Sequence, residues 1–212
     1  MTGTGRYAMA AAAVTAIGLG AGAWFALSGG DEGIYADCSD SVATTGATLG
    51  GPFELVSETG ATVTEADVIT RPTFVYFGYT FCPDVCPVDA ANMAQAATLL
   101  AEQGSPANTI FVTIDPARDT PEVMAEFTDA LHPDMLGLTG SDEQINAAAK
   151  EFRVYFAKAE SDDPEYYLMD HSANIYLMGP GNEFLDFFRR GMTPDQMAEK
   201  AACYVRAFEA NT

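Results

Sequence analysis

Phe74-Val75-Tyr76-Phe77-Gly78-Tyr79-Thr80-Phe81-Cys82-Pro83-Asp84-Val85-Cys86-Pro87 is the stretch on which the fold turns. An apolar, β-rich run ends at a glycine, two cysteines follow with three residues between them, and a helical pattern begins. That order predicts a buried strand delivering two thiols to the first turn of a helix. There, unpaired N–H groups and the helix dipole favour thiolate over thiol. The i, i+4 spacing puts both sulfurs on one face if the turn is helical. Two convergent thiolates are a soft metal site, a redox couple, or both.

Outward from this stretch, residues 73–77 read as a central strand. Residues 87–103 read as a helix with Val88, Ala91, Met93, Ala96, Leu99 and Leu100 on its apolar side and Gly104 stopping it. Upstream, 53–56 and 61–64 flank Ser57-Glu58-Thr59-Gly60 as a short hairpin. Downstream, 109–114 is a second β-branched run closing on Asp115-Pro116-Ala117-Arg118-Asp119. Thr120-Pro121 then caps and starts a helix through Leu131.

Ser141 with Gln144 forms a capping box for a helix to about Phe152. Residues 153–158 read as another strand, and Ser161-Asp162-Asp163-Pro164 as an exposed turn. Residues 170–178 and 183–188 flank Gly179-Pro180-Gly181-Asn182 as an antiparallel hairpin. Thr193-Pro194-Asp195-Gln196 opens the final helix. Strand, helix, strand, helix, then hairpin and helix is the order of a thioredoxin-like α/β fold.

At 212 residues the chain holds one ordinary domain plus a leading segment. Residues 8–27 carry no charge and are long enough to cross about 30 Å of hydrocarbon at ~1.5 Å per residue. Arg6 precedes them and Asp31-Glu32 follow, which keeps the N-terminus cytoplasmic and exports the rest. The expected organisation is a cytoplasmic stub and transmembrane helix over 1–30, a Gly/Ser/Thr/Asp-rich tether over 31–48, and the thioredoxin-like domain over 49–212. A cleaved signal peptide, with Ala21-Gly22-Ala23 as the small-residue site, is the rival.

The net charge is −20, and every acidic residue follows the apolar run. Such a surface repels phosphate backbones, which excludes nucleic acid as a partner. Four cysteines in an exported domain divide into 82/86 and 38/203. An oxidising compartment favours a Cys38–Cys203 staple between the entry segment and the last helix, with two unpaired thiols as the alternative.

Only two histidines are present. His132, in Leu131-His132-Pro133-Asp134, reads as a solvated loop residue after a helix. His171, in Asp170-His171-Ser172, stands in a loop that faces the cysteine turn in a thioredoxin-type fold, and is the candidate third ligand with Cys82 and Cys86. Two thiolates and a neutral imidazole suit Cu(I), and accommodate Cu(II) with a further weak ligand. Zinc takes the same set plus water.

Asp170, Asp115 and Asp84 are candidates for the groups behind these ligands, Asp170 by holding the second ring nitrogen. Each has an ordinary turn or helix-start role as its alternative. Met169 and Met178 read as core. Four residues at ~1.5 Å rise place the two cysteine Cα atoms ~6 Å apart, inside the disulfide range of about 4.4–6.8 Å. Oxidation of Cys82 and Cys86 would therefore remove both sulfur ligands.

Gly50-Gly51-Pro52-Phe53, the Cys82/Cys86 stretch, Thr113-Ile114-Asp115-Pro116-Ala117-Arg118-Asp119-Thr120-Pro121 and Asp170-His171-Ser172 together resemble the Sco/SenC/PrrC family. The resemblance covers about residues 49–208, and Cys82, Cys86 and His171 match the family's copper ligands. It implies a membrane-tethered copper protein that helps assemble cytochrome c oxidase, with the binuclear copper centre of subunit II as target and other copper-assembly proteins as partners. The expected location is the bacterial inner membrane, single-pass, with the domain in the periplasm, or the intermembrane space if mitochondrial.

Two functions from different classes follow. One is a copper metallochaperone; the other is a thiol–disulfide oxidoreductase acting on the oxidase's copper-site cysteines, or a redox sensor. The chaperone is not an enzyme in the usual sense. A thiol peroxidase is less consistent, because Tyr79 occupies the threonine position of the Pro-xxx-Thr-xx-Cys pattern. The Cys38/Cys203 pair is no part of the family pattern.

Overall fold

The computed structural model describes residues 34–38, 49–161 and 166–212. The expected anchor over 8–27, most of the tether and most of the turn at 161–164 lie outside the described residues. Among the described residues no helix is long and apolar enough to cross a membrane.

The described residues form nine strands and five α-helices, in chain order: β1 (Glu54–Ser57), β2 (Thr62–Thr64), α1 (Glu65–Val68), β3 (Thr73–Gly78), α2 (Val85–Glu102), β4 (Asn108–Thr113), α3 (Pro121–Leu131), β5 (Met135–Thr139), α4 (Asp142–Glu151), β6 (Phe156–Lys158), β7 (Met169–His171), β8 (Ile175–Gly179), β9 (Glu183–Phe188) and α5 (Pro194–Glu209). Seven strands form one sheet in the order β2-β1-β5-β4-β3-β8-β9. β3, β4 and β5 run parallel, while β8 joins β3 and β9 joins β8 antiparallel. The parallel β3–α2–β4 unit beside the β8–β9 hairpin is the thioredoxin-like core.

β3 and β8 are buried at every position, so helices cover both faces of the sheet's centre. That is why residues 73–77 read as an unbroken apolar run rather than an alternating one. Ring pairs fasten the layers: Phe74 with Phe188, Tyr76 with Phe111, and Phe77 with Phe152, at centroid separations of 5.5, 5.8 and 5.1 Å. Thr120, Ser141 and Thr193 cap α3, α4 and α5 through their side chains.

Four expectations change. α2 begins at Val85, two residues early, because Asp84 takes the N-cap position and Pro87 sits inside the first turn without cost to the ladder. The strand expected over 153–158 shrinks to Phe156–Lys158, since Arg153 adopts φ 51° and ends the preceding turn. β5 and α1 were not expected: β5 holds Gly137 mid-strand, and α1 is a single turn. Asp170 and His171 belong to neither strand of the β8–β9 hairpin; they lie in β7, which pairs with β6 in a separate two-stranded sheet.

A disulfide joins Cys38 to Cys203 on α5, across 165 residues. Tyr35, just before it, packs on Tyr204.

Candidate metal and redox centre

β3 ends at Gly78, and the chain turns through residues 79–84 before α2 begins. Cys82 therefore sits in the loop ahead of the helix, half-buried, and only Cys86 is helical and buried. The shared helical face expected from i, i+4 spacing does not form. The two sulfurs are instead brought together by the loop wrapping back, so that the Cys86 N–H donates to Cys82 Sγ at 3.4 Å.

The two thiols differ in acidity. Burial acts to raise the Cys82 pKa, but N–H groups of Cys86 and Asp84, the Cys86 thiol and the Val85 N–H outweigh it and hold the group below the ordinary thiol range. Burial pushes Cys86 up to about 12, with the neighbouring Cys82 adding to the shift. Cys82 is the more acidic of the pair, and Cys86 is its proton-bearing partner.

His171 arrives from β7. Its Nε2 lies 3.3 Å from Cys86 Sγ, and its Nδ1 lies 2.9 Å from the Ser172 carbonyl oxygen. A carbonyl can only accept, so Nδ1 carries the proton and Nε2 presents its lone pair to the sulfur. Burial holds the His171 pKa below its usual value, against the Ser172 carbonyl and the charges of Asp89 and Asp170. The ring is neutral at pH 7, as a ligand must be.

The three carboxylates proposed behind the ligands fall in three different places. Asp170 acts on the ring through charge; the second ring nitrogen is held by the Ser172 carbonyl instead. Asp84 is the exposed N-cap of α2, and its contribution to Cys82 is its backbone N–H. Asp115 is buried, paired with Arg118 and accepting from Tyr167 Oη at 2.7 Å. His132 caps the end of α3, its Nδ1 accepting from Asp134 N–H at 3.1 Å. Met178 is core, whereas Met169 lines the cleft.

Two groups were missed. Asp119, fully buried, accepts from Thr80 N–H at 3.1 Å, from Thr80 Oγ1 at 2.6 Å and from the Thr113 hydroxyl, so it clamps the loop that carries Cys82. Asp89, one turn after Cys86 on α2, accepts from the buried Tyr76 hydroxyl at 3.3 Å and bears electrostatically on His171. Asp89 was legible as an acidic residue on the buried side of an otherwise apolar helix face; Asp119 looked like one more turn residue.

A cleft of about 330 Å³ opens over Cys82 and His171, bounded by Tyr79, Val85, Leu168, Met169 and Arg190 among others. Among the described residues no three His, Cys, Asp or Glu side chains are already gathered into a metal cage. The trio meets pairwise through Cys86, and the Cys82 sulfur is turned toward the Cys86 N–H. Its donor chemistry still fits a soft ion: two sulfurs and an unprotonated imidazole nitrogen, at the mouth of a cleft.

Fold and site together define a thioredoxin-like domain in which a dithiol has been joined by a histidine. The SCO1/SenC sequence profile matches residues 41–206, and the chain belongs to that family. It is 46% identical over 202 residues to protein SenC of Rhodobacter capsulatus, covering 95% of this chain and 91% of that one. Among solved structures, Arabidopsis thaliana ScoI with copper bound matches with a TM-score of 0.71 and 36% identity, covering 74% of this chain and 98% of the other. Bradyrhizobium japonicum ScoI with copper bound gives 0.67 and 35%, covering 74% and 99%.

Proposed function

We propose that this chain is a copper metallochaperone that holds copper through Cys82, Cys86 and His171 and delivers it to the binuclear copper centre of cytochrome c oxidase subunit II. The observation that carries the reading is the approach of His171 Nε2 to Cys86 Sγ at 3.3 Å, with the Nε2 lone pair turned toward the sulfur. An imidazole held in this tautomer adds a nitrogen donor to the two sulfurs, which a soft ion can use. The solved relatives with copper bound support the same cargo. Two thiolates and one imidazole favour Cu(I), with Cu(II) accommodated by a further ligand.

The working location is the bacterial inner membrane, with residues 8–27 as a single-pass anchor and the domain on the periplasmic side. Subunit II of the oxidase is the partner, with other copper-assembly proteins supplying the metal. Transfer is an exchange of ligands: each protein thiolate released from the ion is replaced by one from the recipient, and the released thiolate recovers its proton from solvent.

A second reading, thiol–disulfide oxidoreductase, is favoured by the acidity difference between Cys82 and Cys86. A low-pKa, half-exposed thiol beside a buried protonated one is the pattern of an attacking and a resolving cysteine. The experiment is metal analysis of the reduced full chain with Cys82→Ser, Cys86→Ser and His171→Ala, beside an oxidase-assembly assay. The chaperone gives one copper per chain, lost in every variant, and no assembly with His171→Ala. Normal assembly with His171→Ala would leave the reductase as the function.

A further inference from the structure

His171 and the two thiols are carried by different sheets. β7 pairs with β6 in a sheet of its own, whereas Cys82 and Cys86 follow β3 of the main sheet. A ribbon of two three-residue strands has little cohesion by itself. Its placement relative to the sulfurs has to be set by side chains from the main body. One such link is Met169 N–H donating to Tyr79 Oη at 3.2 Å. Another is a cation.

Arg118 joins three segments. Its Nε pairs with the buried carboxylate of Asp115, and its Nη1 donates to the Tyr167 carbonyl at 3.0 Å. The guanidinium carbon lies 3.7 Å from the Tyr167 ring centroid, 4.6 Å from Phe81 and 5.7 Å from Tyr79. Tyr167 closes the loop by donating its hydroxyl to Asp115 at 2.7 Å. Phe81 immediately precedes Cys82, and Tyr167 lies four residues before His171.

The Nη2 group is buried with no hydrogen-bond partner among the described residues. The side chain is thus held where it can stack and donate at once, even with one donor unmet. Only a planar guanidinium does both; an ammonium keeps the charge and loses the stack and the fork.

We infer that Arg118 is a positioning residue for the Cys82/Cys86/His171 site, pinning the ribbon that carries the imidazole against the loop that carries the first thiol. Its consequence for metal binding rests on the copper reading above; its mechanical part does not.

The test compares the reduced full chain with Arg118→Lys, His171→Ala and the double variant. Cu(I) affinity is read by competition with a chromophoric Cu(I) chelator, and amide hydrogen exchange across β6 and β7 is read without metal. Arg118→Lys is expected to weaken Cu(I) binding about 10- to 100-fold, the loss typical when a group that orients metal ligands is removed. Added to His171→Ala it costs nothing more, and exchange speeds up in β6 and β7 while α2 is unchanged. An equal loss in both backgrounds, or unaltered exchange in β6 and β7, overturns the inference. If His171→Ala alone leaves Cu(I) affinity unchanged, the copper reading has failed, and exchange then decides the pinning role by itself. Should Arg118→Lys not fold, Tyr167→Phe, which removes only the hydroxyl given to Asp115, takes its place in the same comparison.

Discussion

Cys86 Sγ stands 3.3 Å from His171 Nε2 although 85 residues separate them in the chain. Burial keeps Cys86 protonated at neutral pH, which leaves the half-buried Cys82 as the thiol the solvent meets. Iodoacetamide should therefore modify the reduced chain first at Cys82, with a rate that levels off below the ordinary thiol pKa of about 8.5. Mass mapping of partly alkylated protein checks the order. Equal labelling of both cysteines at pH 7 would sink the assignment.

The neutral His171 also ties stability to acid. Its folded pKa is depressed, so between that value and the unfolded value of about 6.5 the unfolded chain binds more protons than the folded one. The sign follows: this contribution is fully present above about 6.5 and is lost as pH falls through the folded pKa. Urea unfolding of the reduced, metal-free chain should show stability falling with acid below pH 6.5. His171→Gln should flatten that slope relative to the parent, while leaving the steeper acid transition of the carboxylates.

Much of the fold could be read in advance because its determinants are local. The Thr120-Pro121 start, the Ser141/Gln144 and Thr193/Gln196 boxes and the apolar run before Gly78 each act within a few residues. What escaped was decided by distant partners. β5 is a strand because β4 and β1 flank it, and its glycine weakens any local signal. His171 could be chosen as a ligand from its scarcity, but its place on β7 depends on pairing with Phe156. Asp119 belongs to the site only through Thr80, 39 residues away.

That clamp is worth measuring. Asp119→Ala leaves the half-buried Thr80 N–H and hydroxyl and the buried Thr113 hydroxyl without their acceptor, at about 1–3 kcal/mol for each buried donor left unsatisfied. Some relaxation is available at the loop, so a net loss of about 3 kcal/mol is expected in urea unfolding, well above an ordinary surface substitution. The freed loop should also raise the reactivity of Cys86 toward alkylation. A loss under ~0.5 kcal/mol would mean water replaces the carboxylate without penalty.

The second cysteine pair should act on stability alone. Cys38–Cys203 closes a loop of 165 residues, and removing such a bridge typically costs about 2–4 kcal/mol. Cys38→Ser with Cys203→Ser should lower the unfolding free energy measured in urea by that amount and leave the alkylation order of Cys82 and Cys86 unchanged. A change in that order would show that the two pairs exchange disulfides during folding.

Gly78 gives the sharpest steric test, since it ends β3 directly beneath the thiol loop. A Cβ there would lie 2.9 Å from both Phe111 Cζ and Tyr76 Cε1 and 3.2 Å from Cys86 Sγ. Phe111 and Tyr76 are fully buried and packed against each other at a tilt, so neither ring has room to retreat. The sulfur, at the head of α2, is the neighbour most able to give way, and any retreat carries it relative to His171 Nε2. Gly78→Ala should therefore cost about 1–3 kcal/mol in urea unfolding, the usual penalty for overpacking. It should also weaken Cu(I) binding by more than that stability loss explains, because the contact that defines the site is the one displaced. Retained Cu(I) affinity in a destabilised Gly78→Ala chain would place the strain in the rings and not in the thiol.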